Sequence, residues 1–229
     1  MIVVDCKDVK KVYQQGEFKV HALTDIDLKI NKGDFVCLSG PSGSGKSTLL
    51  NLIGGLDKPT SGEIIVDGER VDQLDKTRLA EMRLHKIGFV FQAYNLIPVL
   101  SARENVEMVM QMQSIPKQER FDRAMGILKE VGLEGMEERR PSELSGGQQQ
   151  RVAVARAIVS RPSLVLADEP TANLDSRTAI NLIELMLKMN SEHQTTFILS
   201  THDPLVMQKA RRSVVLHDGV VASDAPVNS

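Results

Sequence analysis

Three stretches hold residue types that could work together on a phosphate ester. Gly40-Pro41-Ser42-Gly43-Ser44-Gly45-Lys46-Ser47-Thr48 fits G-x-x-x-x-G-K-[ST], a phosphate-binding loop. Its glycines let backbone N–H groups converge on an anion, and a following helix adds about half a positive charge there. Lys46 suits the β- and γ-phosphates of a nucleotide, and Ser47 offers a hydroxyl to Mg²⁺. Asp168 and Glu169 end the apolar run Leu164-Val165-Leu166-Ala167. Asp168 can hold Mg²⁺, directly or through water, and Glu169 can orient and deprotonate an attacking water. In Leu144-Ser145-Gly146-Gly147-Gln148, Ser145 is a good N-cap and the glycines expose N–H groups at the positive end of a helix. This second anion site needs a phosphate of its own or must share one with the first.

The elements that position these residues follow from apolar periodicity. Phe35-Val36-Cys37-Leu38 reads as a buried strand leading into the loop, and Leu49, Leu50, Leu52 and Ile53 suit a helix that stops at Gly54-Gly55. Ile87-Gly88-Phe89-Val90-Phe91 and Thr195–Ser200 are further core strands, which end at Gln92 and at Thr201-His202-Asp203. Open α/β sheets bind ligands at such strand ends. There His202 reads as a γ-phosphate contact, while Gln92 taken alone reads as a loop residue. Residues 2–30 and 63–71 read as strands and hairpins, with Asp67-Gly68 a turn, and are expected to form an antiparallel sheet beside the core. Tyr13, one of two tyrosines, either stacks on a base or packs on its own sheet. Asn31-Lys32-Gly33-Asp34 spells the guanine-reading N-K-x-D, but it precedes the phosphate loop and reads as a turn.

From residue 93 strand signals give way to helical spacing. Phe121, Ala124, Leu128 and Val131 share a face with Gly132 as the stop, and Val152, Ala155, Ile158 and Val159 form a face on the helix after Ser145. Met108, Met110 and Met112 either fill core or line a groove for a partner's helix. Residues 175–190 predict an amphipathic helix with Ile180, Ile183 and Leu187 on one face. Val214–Val221 closes the domain as a hairpin with an Asp218-Gly219 turn, and the last few residues read as frayed.

The 229 residues allow one domain, or one with a satellite. A net charge of −2 argues against a broad nucleic-acid footprint. Cys6 and Cys37 are far apart in apolar runs, with neither disulfide nor zinc spacing. There is no signal-peptide pattern and no run approaching about 18 apolar residues. A cytoplasmic chain is expected, whose membrane role would require a partner.

The order of these pieces, with Asn173-Leu174-Asp175 after the acidic pair, resembles the ATPase subunits of ABC transporters over nearly the whole chain. Leu144–Gln148 matches that family's signature motif. The resemblance implies an α/β fold: a P-loop NTPase core with an N-terminal antiparallel β subdomain (1–92 and 160–229) and an inserted helical subdomain (93–159) carrying the signature. It implies ATP and Mg²⁺ as ligands, with Ser47, Gln92 and Asp168 toward the metal. Tyr13 matches the adenine-stacking aromatic, Gln92 the residue that contacts Mg²⁺ and senses the transmembrane partner, Glu169 the general base and His202 the switch histidine. Ser145, Gly146, Gly147 and Gln148 would face the ATP of a second copy in a head-to-tail sandwich dimer, with Asp175 closing the loop that crosses the interface. Asn173 stands where a small residue is common. Gly54–Gly62, Phe91–Pro98 and Pro141–Leu144 look like the LolD/MacB branch of lipoprotein-releasing, macrolide-exporting and cell-division ATPases. The expected partners are a second copy and a permease docking at the helical subdomain and Gln92 loop, which would hold the chain at the inner face of the membrane. A soluble ABC ATPase working on nucleic acid or ribosomes is the alternative, disfavoured by the absence of a coiled-coil insertion, a tandem second half and a basic stripe. A P-loop kinase or GTPase is disfavoured by the signature and the misplaced N-K-x-D.

Overall fold

The computed structural model describes residues 1–227. The chain opens with two long strands, β1 (Ile2–Gln15) and β2 (Phe18–Asn31), paired antiparallel. Along β2 buried and exposed residues alternate toward its end, since one face meets the core. β4 (Ser61–Val66) and β5 (Glu69–Arg70) complete a four-stranded sheet of order β2-β1-β4-β5. Asp67 and Gly68 join β4 to β5 at φ 47° and 82°, the paired left-handed residues a tight hairpin requires.

The second sheet is built from β3 (Phe35–Ser39), β6 (Ile87–Phe91), β7 (Leu164–Asp168), β8 (Thr196–Ser200), β9 (Arg212–His217) and β10 (Val220–Pro226), in the order β10-β9-β3-β8-β7-β6. All but β10 run parallel. β3 and β8 are buried along their full length and are apolar through their middles, because both faces are covered. Successive side chains therefore enter different cores. Leu164, Leu166 and Ile198 join the core with Val4, Leu49 and Ile53, and Val165, Phe197 and Leu199 join the core with Val106, Leu128 and Val152.

Helix α1 (Lys46–Ile53) follows β3, and α2 (Lys76–Lys86) leads into β6. Between β6 and β7 lie α3 (Ala102–Met112), α4 (Lys117–Glu130) and α5 (Gly146–Ile158). α6 (Ser176–His193) and the short α7 (Pro204–Met207) flank β8. In-register pairing of Phe91 with Asp168, Asp168 with Ser200 and Leu38 with Ser200 brings the C-terminal ends of β6, β7, β8 and β3 to one edge.

Three expectations are adjusted, and one helix had no sequence reading. α2 was not visible as a helix, for it buries only Leu79 and Met82 and carries mostly charge. Phe121 lies off the buried face of α4, 41% exposed, beneath the guanidinium of Arg103. The buried face of α6 is Ala179, Leu182, Ile183, Leu185, Met186 and Met189; Ile180 and Leu187 sit at its margin. β10 extends the C-terminus as strand to Pro226, and Asn228 and Ser229 of the frayed end lie outside the described residues.

Candidate functional site

The phosphate loop is wedged between backbones. A Cβ on Gly40 (φ 138°) would lie 2.1 Å from the Leu216 carbonyl oxygen, and one on Gly45 (φ 101°) 2.7 Å from that of Ala22. Glycine is therefore required at both. Lys46 is buried and its Nζ donates to the carbonyls of Gly40 (2.9 Å) and Pro41 (3.0 Å). It is an ammonium held at the loop by two neutral acceptors, for which phosphate oxygens would be stronger partners. The loop forms one wall of a cleft of about 780 Å³. Pro41, Ser42, Gly43, Gly45, Lys46, Ser47 and Thr48 line it, facing Gln92, Glu169 and His202, while Val20, His21 and Ala22 of β2 close one side.

The acidic end of β7 is locked to this wall. Asp168 Oδ1 accepts from Ser47 Oγ at 2.9 Å and from Ser200 Oγ at 2.6 Å. Ser200 Oγ in turn accepts the Glu169 N–H at 3.0 Å. Glu169 takes φ 47°, an uncommon conformation for a non-glycine residue. Such local strain is tolerated where the surroundings over-determine it, often at functional sites. Its Oε1 meets His202 Nδ1 at 3.0 Å, with the imidazole 67% exposed and the carboxylate only 18%. A half-sheltered carboxylate with its rim partner in the cleft can take a proton from water. The Ser47 hydroxyl and Asp168 carboxylate are hard oxygen donors side by side and fit Mg²⁺. These two groups would hold that ion, which would supply positive charge to offset that of a bound phosphate. Cys37, beneath the loop, is an inert thiol, raised to about 12 by burial and then by the charge of Glu169.

Tyr13 stands at the rim, outside the residues that line the cleft. Its hydroxyl donates to Asp57 Oδ2 (2.8 Å) and Lys11 Nζ lies 4.7 Å from the ring centre. The ring is thus pinned at its tip and covered by a cation on one face. Burial, then the Asp57 hydrogen bond, raises its phenol, while the Thr48 hydroxyl acts the other way.

The signature stretch points elsewhere. Ser145 caps α5 with a reciprocal bond pattern: its Oγ accepts from Gln148 N–H and Gln148 Oε1 accepts from Ser145 N–H. None of Ser145, Gly146, Gly147 and Gln148 lines the cleft. A Cβ on Gly146 would come within 2.8 Å of Tyr94 Oη, and one on Gly147 within 2.6 Å of Thr178 Cγ2, so the turn packs against its neighbours. Asp175 caps α6, and hydrogen bonds from the Thr178 hydroxyl, then the Thr178 N–H, lower its pKa. The Asn173 carboxamide in the same loop donates to the Gln92 carbonyl at 3.0 Å.

A family model described as ABC transporter matches residues 23–172. The chain belongs to the ABC transporter family. It is an ATP-binding, ATP-hydrolysing cassette subunit of that family. It is 47% identical over 227 residues to a macrolide export ATP-binding/permease protein MacB of Syntrophobacter fumaroxidans, covering 98% of this chain but 32% of that protein. The subunit thus spans about a third of this relative's length. With an uncharacterized ABC transporter ATP-binding protein of Methanocaldococcus jannaschii, MJ0796, it shares 46% identity over 223 residues, 96% of this chain and 95% of the other. The MJ0796 cassette was solved as a dimer in a post-hydrolysis state bound to ADP and Pi. It superposes with a TM-score of 0.90 at 44% identity over 99% of both chains.

Residues that carried no sequence signal also brace the site. Ser200 is an ordinary residue in an apolar strand, and only the sheet register places it beside Asp168. Arg156 of α5 is buried and donates to the carbonyls of Tyr94 and Asn95, consecutive residues at φ 60° and 49°. Burial lowers its pKa. The three methionines divide. Met110 is core, while Met108 and Met112 line a second cleft of about 420 Å³ with Leu56, Leu84, Phe89 and Phe91.

Proposed function

We propose that this ABC subunit drives a membrane-embedded partner through a head-to-tail homodimer that holds two ATP molecules. The observation that carries the reading is the separation of two glycine-flanked helix N-termini. One, at Lys46, faces the cleft with Glu169, and the other, at Ser145, faces outward. A second copy supplies what each cleft lacks, with Ser145, Gly146, Gly147 and Gln148 of one chain closing on ATP held by the other. Within each site Lys46 and the loop N–H groups bind the phosphates. Ser47, Asp168 and Gln92 stand toward Mg²⁺. Glu169 takes the proton of the attacking water, His202 holds Glu169 and the γ-phosphate in register, and Tyr13 offers the free face of its ring to the base. Asp175 and Asn173 lie in the loop that meets the partner copy.

The apolar cleft beside the Gln92 loop is the docking place for a permease segment. Met108 and Met112 give it an adaptable wall. This partner would hold the subunit at the inner membrane face; among the described residues no helix is long and apolar enough to cross a membrane. Likeness to the MacB protein supports the LolD/MacB branch. The test is a gentle-detergent capture of tagged Glu169→Gln protein with ATP, the bound chains being identified by mass. A stoichiometric membrane protein supports the reading. Recovery of ribosomal or DNA-associated proteins with no membrane chain overturns it in favour of a soluble ABC ATPase.

A further inference from the structure

Gln150 lies two residues beyond the signature on α5 and is fully buried. Its Nε2 donates to the carbonyl of Pro170 at 2.7 Å and to that of Phe91 at 3.3 Å. Pro170 directly follows Glu169, and Phe91 directly precedes Gln92. Two carbonyls on one side fix the orientation of the amide, because a flipped group would set oxygen against oxygen. Its Oε1 is buried and accepts no hydrogen bond. The amide satisfies the Pro170 carbonyl yet leaves its own acceptor orphaned, and it joins two backbone segments that flank the cleft. The Phe91 carbonyl also accepts the Tyr94 N–H, whereas the Pro170 carbonyl takes its hydrogen bond from Gln150.

We propose that Gln150 is a positioning residue that ties the signature helix to the general base of its own chain. The inference rests on Glu169 being that base and on Ser145–Gln148 contacting the ATP of the second copy. A pull on the N-terminus of α5 by that nucleotide moves Gln150, and with it the backbone on both sides of the cleft. Occupancy of one site in the dimer thereby sets the geometry of Glu169 in the other. Arg156 steadies the Gln92 loop two turns along, but it touches neither residue next to Glu169.

The test measures ATP turnover and ATP-dependent dimerisation of Gln150→Met, which keeps length and burial and removes the donor. A kcat reduced about tenfold, with KM for ATP and dimer affinity within about twofold of the parent, is expected. The neighbouring Gln149→Ala, which loses only a bond to Leu144, should retain parental kcat. If Gln150→Met does not fold, Gln150→Asn, which keeps the amide but draws it back by one methylene, is read by the same criteria. Parental kcat, or a loss matched by an equal rise in KM, overturns the proposal. Glu169→Gln run alongside separates the two readings: normal turnover there removes the base itself, whereas its loss beside a normal Gln150→Met removes only the coupling.

Discussion

Gly88 and Gly126 make a matched pair for testing how tightly the helical segment is seated on the sheet. Gly88 in β6 faces α5, and a Cβ there would lie 2.2 Å from the Ala157 carbonyl oxygen and 3.1 Å from the Ala157 Cβ. The obstacle is backbone, so strand and helix must part by about 1 Å, which forfeits a quarter to a half of each contact's attraction along the seam. Overpacking of this kind costs about 3 kcal/mol. At about 2–4 °C per kcal/mol for a domain of this size, Gly88→Ala should lower Tm by about 6–12 °C. It should also reduce ATP turnover, since α5 carries Gln150 and Arg156. Gly126 in α4 has nothing within 4 Å of a built Cβ. Gly126→Ala should stabilise by about 0.5–1 kcal/mol through helix propensity, raising Tm by about 1–4 °C. Thermal unfolding followed by circular dichroism reads both. A Gly88→Ala protein melting within about 2 °C of the parent, or a Gly126→Ala protein falling as far as Gly88→Ala, would refute the packing reasoning.

Three further outcomes are expected. Ser145→Arg places bulk and charge at the exposed cap of α5 and should abolish ATP-induced dimerisation while single chains still bind ATP, as read by sedimentation and nucleotide titration; an unchanged dimer counts against the sandwich. Tyr13→Ala should raise KM for ATP by about 5- to 150-fold, from about 1–3 kcal/mol of base stacking, and Tyr13→Phe should restore most of it; equal loss in both would assign the effect to the Asp57 hydrogen bond instead. Burial raises the Asp57 carboxyl, but hydrogen bonds from the Lys11 ammonium, the Tyr13 hydroxyl and the Lys58 N–H outweigh it and hold the group below its ordinary value. A depressed folded pKa gives stability that is present above the unfolded value near 4 and lost as pH falls through the folded one. Asp57→Asn should therefore lower stability at pH 7 by less than about 1 kcal/mol for this part-exposed pair, with the gap closing below about pH 4. A gap constant from pH 7 to pH 3 contradicts that origin.

The chemistry was legible where residue type and local spacing suffice. Gly40–Thr48 dictates a strand, a glycine-bound turn and a helix whatever surrounds it, and the Ser145 cap announces α5. Residues that act across the sheet were silent. Ser200 gains its meaning from register with Asp168, and Gln150 and Arg156 look like polar residues of an amphipathic helix until β6 packs beneath them. Asn105 is similar: fully buried, it caps four backbone groups of the Ile97–Ser101 turn, yet in sequence it is one polar residue among helical neighbours. The slip on α6 has a simple cause. Ile180 and Leu187 are as apolar as the residues that point inward, and tertiary contact rather than composition chose the face. Tyr13 allowed two readings, and the structure shows a pinned ring with one face free of Lys11.

The central claim is that Glu169 activates water on ATP held between two copies of the chain. Glu169→Gln keeps the size of the side chain and removes the base. Measured in one sample with Mg²⁺ and ATP, it should bind nucleotide as the parent does, accumulate as an ATP-bound dimer and turn over at least a hundredfold more slowly, in the range that general-base loss commands. Parental turnover by this variant, or its persistence as a monomer at saturating ATP, would contradict the account.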